Sequence, residues 1–258
     1  MEKYRRLGES LVDVAFPKRC AGCDRRGSWL CDACRATILP IGDRGCIRCG
    51  VPRVAGSCAC SDLHPAIERA VSPYPYAGWV AEAIRHLKYA NETARADQLG
   101  RELIEPIRSL GPVDGLIPVP LHPRKLRERG YNQSELLARS VSEALDVPML
   151  SMIQRTRHTT AQMTLDAEAR RKNVAHAFAY LGESPPKPDA RYVVIDDVRT
   201  TGSTLWACAE ALVAAGIERV LVATLAVDLT AERLDALRRM GLIRDQSQNR
   251  LWLGVGGE

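Results

Sequence analysis

Two hydrophobic periods alternate along the chain from about residue 66 onward. Apolar residues returning every third or fourth position predict helices over residues 79–89, where Val80, Ile84 and Leu87 share a face, and over 96–110, 134–145, 202–215 and 231–240. Between them, short apolar runs predict strands over 115–119, 192–195 and 219–226, with weaker ones over 70–76 and 147–150. Strand, helix and strand in succession imply an α/β domain with a doubly wound, largely parallel sheet and crossovers of the usual hand. Such sheets bind ligands at the carboxyl ends of their strands. The chemistry is therefore to be sought just after Val119 and just after Ile195.

Residues 1–65 follow another pattern. Leu7, Leu11, Val14 and Ala15 recur at helical spacing and Phe16-Pro17 ends the run, which predicts a short amphipathic helix docking this part onto its neighbour. Cysteines then take over, eight of the chain's nine lying between Cys20 and Cys60. They form four knuckles: Cys20-x2-Cys23, Cys31-x2-Cys34, Cys46-x2-Cys49 and Cys58-x-Cys60. A tetrahedral four-thiolate zinc site takes two knuckles, so the count implies two structural zinc ions. Sequential pairing, Cys20, Cys23, Cys31 and Cys34 on one ion and Cys46, Cys49, Cys58 and Cys60 on the other, is the most economical; spacing also leaves an interleaved pairing open. The zinc sites stand in for a core that so short a segment cannot build. The domains read as 1–65, helix and cysteine module, and 66–258, α/β. Cys208 stands apart and reads as a small buried residue.

Composition adds limits. Hydrophobic residues at 46% and charged ones at 26% of 258 are ordinary globular usage. The longest notable apolar stretch, Val220 to Val227, falls far short of the roughly 20 residues that cross a bilayer. The basic start, Met1-Glu-Lys-Tyr-Arg-Arg, leads into no long apolar core, so the expected location is the cytoplasm, where thiols favour metal over disulfides. The net charge of +5 is unevenly placed. Residues 1–65 carry 11 basic and 7 acidic groups, an excess that eight zinc-bound thiolates would cancel. Residues 117–175 carry 10 and 6, and keep their charge, which directs the search for an anionic ligand there.

After the apolar run Val193-Val194-Ile195 come Asp196-Asp197-Val198-Arg199-Thr200-Thr201-Gly202-Ser203-Thr204, opening a helix. Four hydroxyls around Gly202, with the unpaired N–H groups of a helix start, make a phosphate cradle. The paired carboxylates one step earlier suit ribose hydroxyls or a hydrated Mg²⁺. Gly-Lys-Ser/Thr is absent, so this is no Walker loop. After Val119, Arg124, Lys125, Arg127 and Arg129 crowd a loop pinned by Pro118, Pro120 and Pro123, one of whose X-Pro bonds can be cis at small cost.

The strand, acid pair and Thr-Gly loop resemble the signature of the type I phosphoribosyltransferases. With the stretch from Ile117-Pro-Val-Pro through Arg129-Gly-Tyr-Asn-Gln133, with Arg155, Thr159, Gln162, the run Arg170-Arg-Lys-Asn-Val-Ala-His-Ala-Phe178, Leu87-Lys88-Tyr89 and the cysteine module, the chain resembles the ComF family to about residue 227. These are competence-associated, phosphoribosyltransferase-like proteins with an N-terminal double zinc ribbon. The resemblance implies 5-phosphoribosyl 1-pyrophosphate with Mg²⁺ as ligand. It implies Asp196 and Asp197 on the ribose hydroxyls, Thr200, Thr201, Gly202, Ser203 and Thr204 on the 5-phosphate, and Lys88, Arg124 and Lys125 toward the pyrophosphate. Residues 155–166 stand where related enzymes carry a lid.

Turnover is left open, since no general base and no acceptor pocket is legible. The family's link with transformation implies an alternative: a non-catalytic accessory that grips single-stranded DNA, or an adaptor whose cysteine module meets a helicase-type competence protein.

Overall fold

The computed structural model describes residues 17–53, 58–157, 176–182, 187 and 189–244. A parallel sheet lies at its centre, with strands in the order β1 (Ile67–Val71), β7 (Val220–Val227), β6 (Tyr192–Arg199) and β3 (Gly115–Pro118). β2 (Tyr74–Pro75) continues beside β7 where β1 leaves off. All eight residues of β7 are buried. That explains its nearly continuous apolar run, interrupted only by Thr224, whose hydroxyl lies 2.7 Å from that of Ser72, because a parallel strand between two helical layers has no wet face.

One face of the sheet packs Val193, Ile195, Leu221 and Ala223 under α2 (Gly78–Tyr89), α3 (Arg95–Arg101), α4 (Ile104–Arg108) and α6 (Gln133–Leu145), through Trp79, Ile84, Leu87, Leu137 and Val141. Cys20 and Cys34 of the first cysteine cluster, the latter on the short helix α1 (Asp32–Arg35), belong to this same packed group. The other face packs Val194, Val220 and Val222 against Leu205, Cys208 and Leu212 of α7 (Ser203–Ala214), together with Cys46 and Cys49 of the second cluster. Each cysteine cluster thus abuts a different side of the sheet. Beyond β7, α8 (Ala231–Arg239) leads back to the cysteine module, where Leu39 N–H donates to Leu242 C=O at 2.8 Å and Arg244 N–H to Thr37 C=O at 2.7 Å.

Register places the chemistry. Pro118 of β3 pairs with Ile195 of β6 and is the last residue of its strand, whereas β6 and β7 run on to Arg199 and Val227. Asp196 and Asp197 therefore stand just past the end of β3, at an edge the sheet leaves uncovered.

Several expected elements take other forms. The helix expected over 96–110 breaks into α3 and α4, because the ring of Pro106 would clash with the carbonyl of Glu102 in a continuous helix. The strand expected over 70–76 divides at Ser72-Pro73, where proline lacks an N–H. Residues 147–150 contribute only a bridge between Leu116 and Met149. The basic loop after Val119 is partly a helix, α5 (Pro123–Arg129): Pro123 starts it, His122 caps it by accepting from Arg124 N–H, and Gly130 ends it at φ +84°. All peptide bonds of the described residues are trans. Two short strands, β4 (Ile153–Arg155) and β5 (Phe178–Tyr180), pair antiparallel at the base of the expected lid. The helix expected before Pro17, most of the lid, and Thr159, Gln162 and residues 170–175 lie outside the described residues.

Candidate functional site

The cysteines form two groups of four, Cys20, Cys23, Cys31 and Cys34, and Cys46, Cys49, Cys58 and Cys60, each with its sulfurs within 4.8 Å of one another. This is the sequential pairing. Cys20 and Cys31 sulfurs lie 3.6 Å apart, Cys23 and Cys31 3.8 Å, Cys46 and Cys60 3.6 Å. A tetrahedron with metal–sulfur bonds of about 2.3 Å has edges of about 3.8 Å, so the spacing fits zinc. Electrostatics agree. Burial raises the Cys20 thiol, but N–H groups of Cys31, Gly22 and Cys23 outweigh it and hold the group at about 7. Cys46 falls to about 6 in the same way, burial being overcome by N–H groups of Cys49 and Arg48 and by the Cys60 and Cys49 sulfurs. One thiolate of each cluster, Cys20 and Cys46, is thus favoured before metal arrives, while burial raises Cys23, Cys34, Cys49 and Cys60; with four sulfurs apiece the sites are closed and structural.

At the strand end, Asp197 is 2% exposed and its Oδ1 lies 2.8 Å from Lys88 Nζ, near the end of α2. Its other oxygen, Oδ2, is buried without a hydrogen-bond partner among the described residues. An unpaired buried carboxylate oxygen is costly and marks a place prepared for a donor or a cation. Asp196 Oδ1 accepts from Ser134 Oγ at 2.8 Å and from Asp197 N–H at 2.9 Å. Asp196 keeps part of its surface open but sits among dense protein, and burial beside the charge of Asp197 pushes its carboxyl up to about 7. Burial alone would lower Lys88, but Asp197 and Asp196 outweigh it and hold the ammonium above its usual range.

The loop follows at once. Gly202 precedes α7 at φ +75°, in the left-handed region that favours glycine, and no side chain caps the helix. Thr201 Oγ1 and Ser203 Oγ lie 2.8 Å apart, and no acidic residue stands in the first turn. A twelve-residue helix beginning this way presents open N–H groups and a positive dipole end to an anion. Thr200 is exposed and Thr204 half-buried. A cavity of about 310 Å³ opens on Thr200, Thr201 and Gly202, walled opposite by Cys58, Ala59 and Asp62. A larger one, about 640 Å³, lies elsewhere, between the Cys46 knuckle, β1 and α3–α4, and none of the acid pair or the loop lines it. The acid pair lines neither cavity, and the smaller one touches the site only through Thr200, Thr201 and Gly202.

The cations divide. Burial, then the charges of Arg155, Arg129 and Lys88, lower Lys125, outweighing the opposite pull of Glu128, so its ammonium stands in a region of net positive charge. Arg124 instead pairs with Glu128 at 2.9 Å on the outside of α5. Lys88 is in the site, with Asp197 as its partner. Arg155 carries its guanidinium 5.5 Å over the Phe178 ring, within the field of Asp196.

Three neighbouring residues position this site: Tyr131 and Asn132, from the motif that ends at Gln133, and Ser134, at the start of the expected helix. Tyr131 OH donates to Leu87 C=O at 2.5 Å, holding the turn that carries Lys88. Asn132 Nδ2 donates to Val119 C=O at 2.9 Å, fixing the end of β3, while its Oδ1 caps α6. Ser134 holds Asp196. The polar run after Gly130 was the available signal; its partners lie 13 to 62 residues away and were not.

Residues 11–64 match the double zinc ribbon domain. The chain is 32% identical over 223 residues to Competence protein F of Haemophilus influenzae, covering 80% of this chain and 96% of that protein. It is 32% identical over 209 residues to the DNA utilization protein YhgH of Escherichia coli K12, covering 76% and 89%, and 24% identical over 201 residues to Competence protein ComFC of Bacillus subtilis, covering 72% and 79%. Among solved structures, adenine phosphoribosyl transferase from Trypanosoma brucei aligns at 14% identity over 70% of this chain and 72% of that one, with a TM-score of 0.37. A score that low carries no weight; the fold class rests on the sheet itself.

Proposed function

The chain belongs to the ComF family, that of Competence protein F, and from that premise we propose that it binds 5-phosphoribosyl 1-pyrophosphate with Mg²⁺ in the service of DNA uptake. The observation that carries the reading is the buried Asp197 oxygen without a hydrogen-bond partner among the described residues, beside Asp196 and shortly before an uncapped helix start. Ribose hydroxyls would donate to the two carboxylates, and the 5-phosphate would take the loop N–H groups and the hydroxyls of Thr201 and Ser203. Lys125 and Arg155, which share one region of net positive charge, would receive the pyrophosphate end. Mg²⁺, when bound, would supply charge neutralisation at that end. Among the described residues no side chain stands out as a general base, and the proposal is for ligand binding by a phosphoribosyltransferase-like site. Calorimetric titration with and without Mg²⁺ tests it: the Asp196→Ala plus Asp197→Ala protein is expected to lose binding while retaining two zinc ions. Equal affinity in both proteins refutes it.

A second reading has its own observation. Tyr89 is 76% exposed beside Lys88, with Arg129 5.5 Å over its ring, and α5 displays Arg124, Arg127 and Arg129 along the same rim. An exposed aromatic among cations suits the bases and phosphates of single-stranded DNA. Affinity would then fall with log salt by about 0.7 per phosphate neutralised, and Tyr89→Ala would weaken it. Binding indifferent to salt dismisses this reading.

A further inference from the structure

The second cysteine cluster and the Thr-Gly loop meet at one buried side chain. Arg199, the last residue of β6, is 5% exposed, and its Nη2 donates to the carbonyl of Cys49 at 2.6 Å. Its own carbonyl accepts from Asp228 N–H at 2.8 Å, so the residue is tied at both ends. Cys49 is one of the four clustered sulfurs and is fully buried. On the loop side, a Cβ built on Gly202 would lie 3.6 Å from the Asp62 carbonyl oxygen and 3.9 Å from Arg199 Cδ. The loop therefore rests on the stem of Arg199 and on backbone that immediately follows Cys60. The first cluster borders α2 instead: a Cβ on Gly22 would lie 3.4 Å from Trp79 Cβ.

We propose that Arg199 is a positioning residue through which the metal-loaded second cluster sets the shape of the Thr200–Thr204 loop, so that metal at Cys46, Cys49, Cys58 and Cys60 governs affinity for a phosphorylated sugar. The inference rests on the phosphoribosyl reading and deepens it. Four thiolates on one Zn²⁺ leave a net charge of −2 beside the guanidinium. The knuckle turn that binds the metal also fixes the Cys49 carbonyl. Loss of metal relaxes that turn, the acceptor moves, and the arginine stem beneath Gly202 moves with it. Gly202, at φ +75°, carries no side chain of its own to hold the turn in place.

The full chain serves for the test. Zn²⁺ is replaced by ¹¹³Cd²⁺, which gives one metal resonance per cluster, and the amide signals of Thr201 and Gly202 are followed. Exchange is expected to move both amides in the wild-type protein. In Arg199→Met, which keeps the stem and loses the guanidinium, the amides should no longer respond although both cadmium signals persist. Affinity for phosphoribosyl pyrophosphate should fall about 10- to 100-fold in Arg199→Met, as for a site displaced by up to an ångström, with partial recovery in Arg199→Lys. Wild-type amides that ignore the metal overturn the coupling, and this arm needs no variant to fold. Unchanged affinity in Arg199→Met overturns it as well. A wild-type protein that moves its loop with the metal yet binds no phosphoribosyl pyrophosphate overturns the sugar-phosphate reading, and with it the claim on affinity.

Discussion

The two cysteine clusters have similar ligands and are each fastened to the body by a buried arginine, yet they fasten different things. At the first, Arg95 is 1% exposed, donates to the carbonyls of Trp29 at 2.7 Å and Arg19 at 3.1 Å, pairs with Glu92, and lies 4.7 Å over the Trp29 ring. It pins the module to the turn between α2 and α3. At the second, Arg199 binds Cys49 C=O and supports the loop after β6. One cluster braces the helix that carries Lys88; the other forms a wall of the cavity beside the phosphate cradle. Similar metal chemistry thus serves scaffolding on one side of the sheet and site geometry on the other.

The largest effect should come from the first cluster. Cys34→Ser removes a buried ligand from a site whose apparent zinc affinity, about 10–16 kcal/mol in small zinc domains, matches or exceeds a whole domain's stability of about 5–15 kcal/mol. The protein is expected to lose cooperative thermal unfolding. The exposed ligand of the second cluster, changed in Cys58→Ser, should leave a cooperative melt at lower temperature but weaken sugar-phosphate binding. If both variants behave alike in melting and in binding, the contrast between the clusters is lost.

Next in size, Arg95→Ala should cost about 3 kcal/mol in urea unfolding, because two inner carbonyls and Glu92 lose their donor. Binding per folded molecule should not change, unlike Arg199→Met.

A pH series sharpens the site itself. Asp196 lies at about 7 in the folded chain against an ordinary 3.8, so the folded state prefers the protonated acid. Its contribution to stability is full below about 4, declines as pH rises to about 7 and is lost above. Asp196→Asn should flatten that decline. In the wild type, affinity for the Mg²⁺ complex should rise as pH passes through about 7, beyond the rise that Asp196→Asn shows. Ser134→Ala, which removes a bond to the ionised acid, should move that rise to higher pH. The smallest change belongs to the exposed pair on α5, where Arg124→Gln should alter stability by about 0.5 kcal/mol or less.

Much of the frame was legible because long elements carry their own periodicity. The helices at Gly78–Tyr89, Gln133–Leu145, Ser203–Ala214 and Ala231–Arg239, and the strands at Tyr192–Arg199 and Val220–Val227, lie close to where the apolar spacing put them. The cysteine spacing was readable because each knuckle is local. α5 was missed for the opposite reason: Leu126 is its only large apolar residue, so no stripe betrays it, although Pro123 and Gly130 mark its ends. β4 and β5 are three residues each and separated by 22, so neither signals its partner. In the candidate site, strand-end logic pointed to Asp196, Asp197 and the loop, which lie together past the end of β3. Ser134 and Arg199 act through partners 62 and 150 residues distant, which only packing brings together.

A structure with phosphoribosyl pyrophosphate and Mg²⁺ tests the central claim most directly. The account expects ribose hydroxyls within hydrogen-bond distance of Asp196 and Asp197 and the 5-phosphate on the N–H groups of the Thr200–Thr204 loop. Ligand seated instead in the larger cavity between β1 and α3–α4, with the acid pair still facing only Lys88 and Ser134, would contradict it.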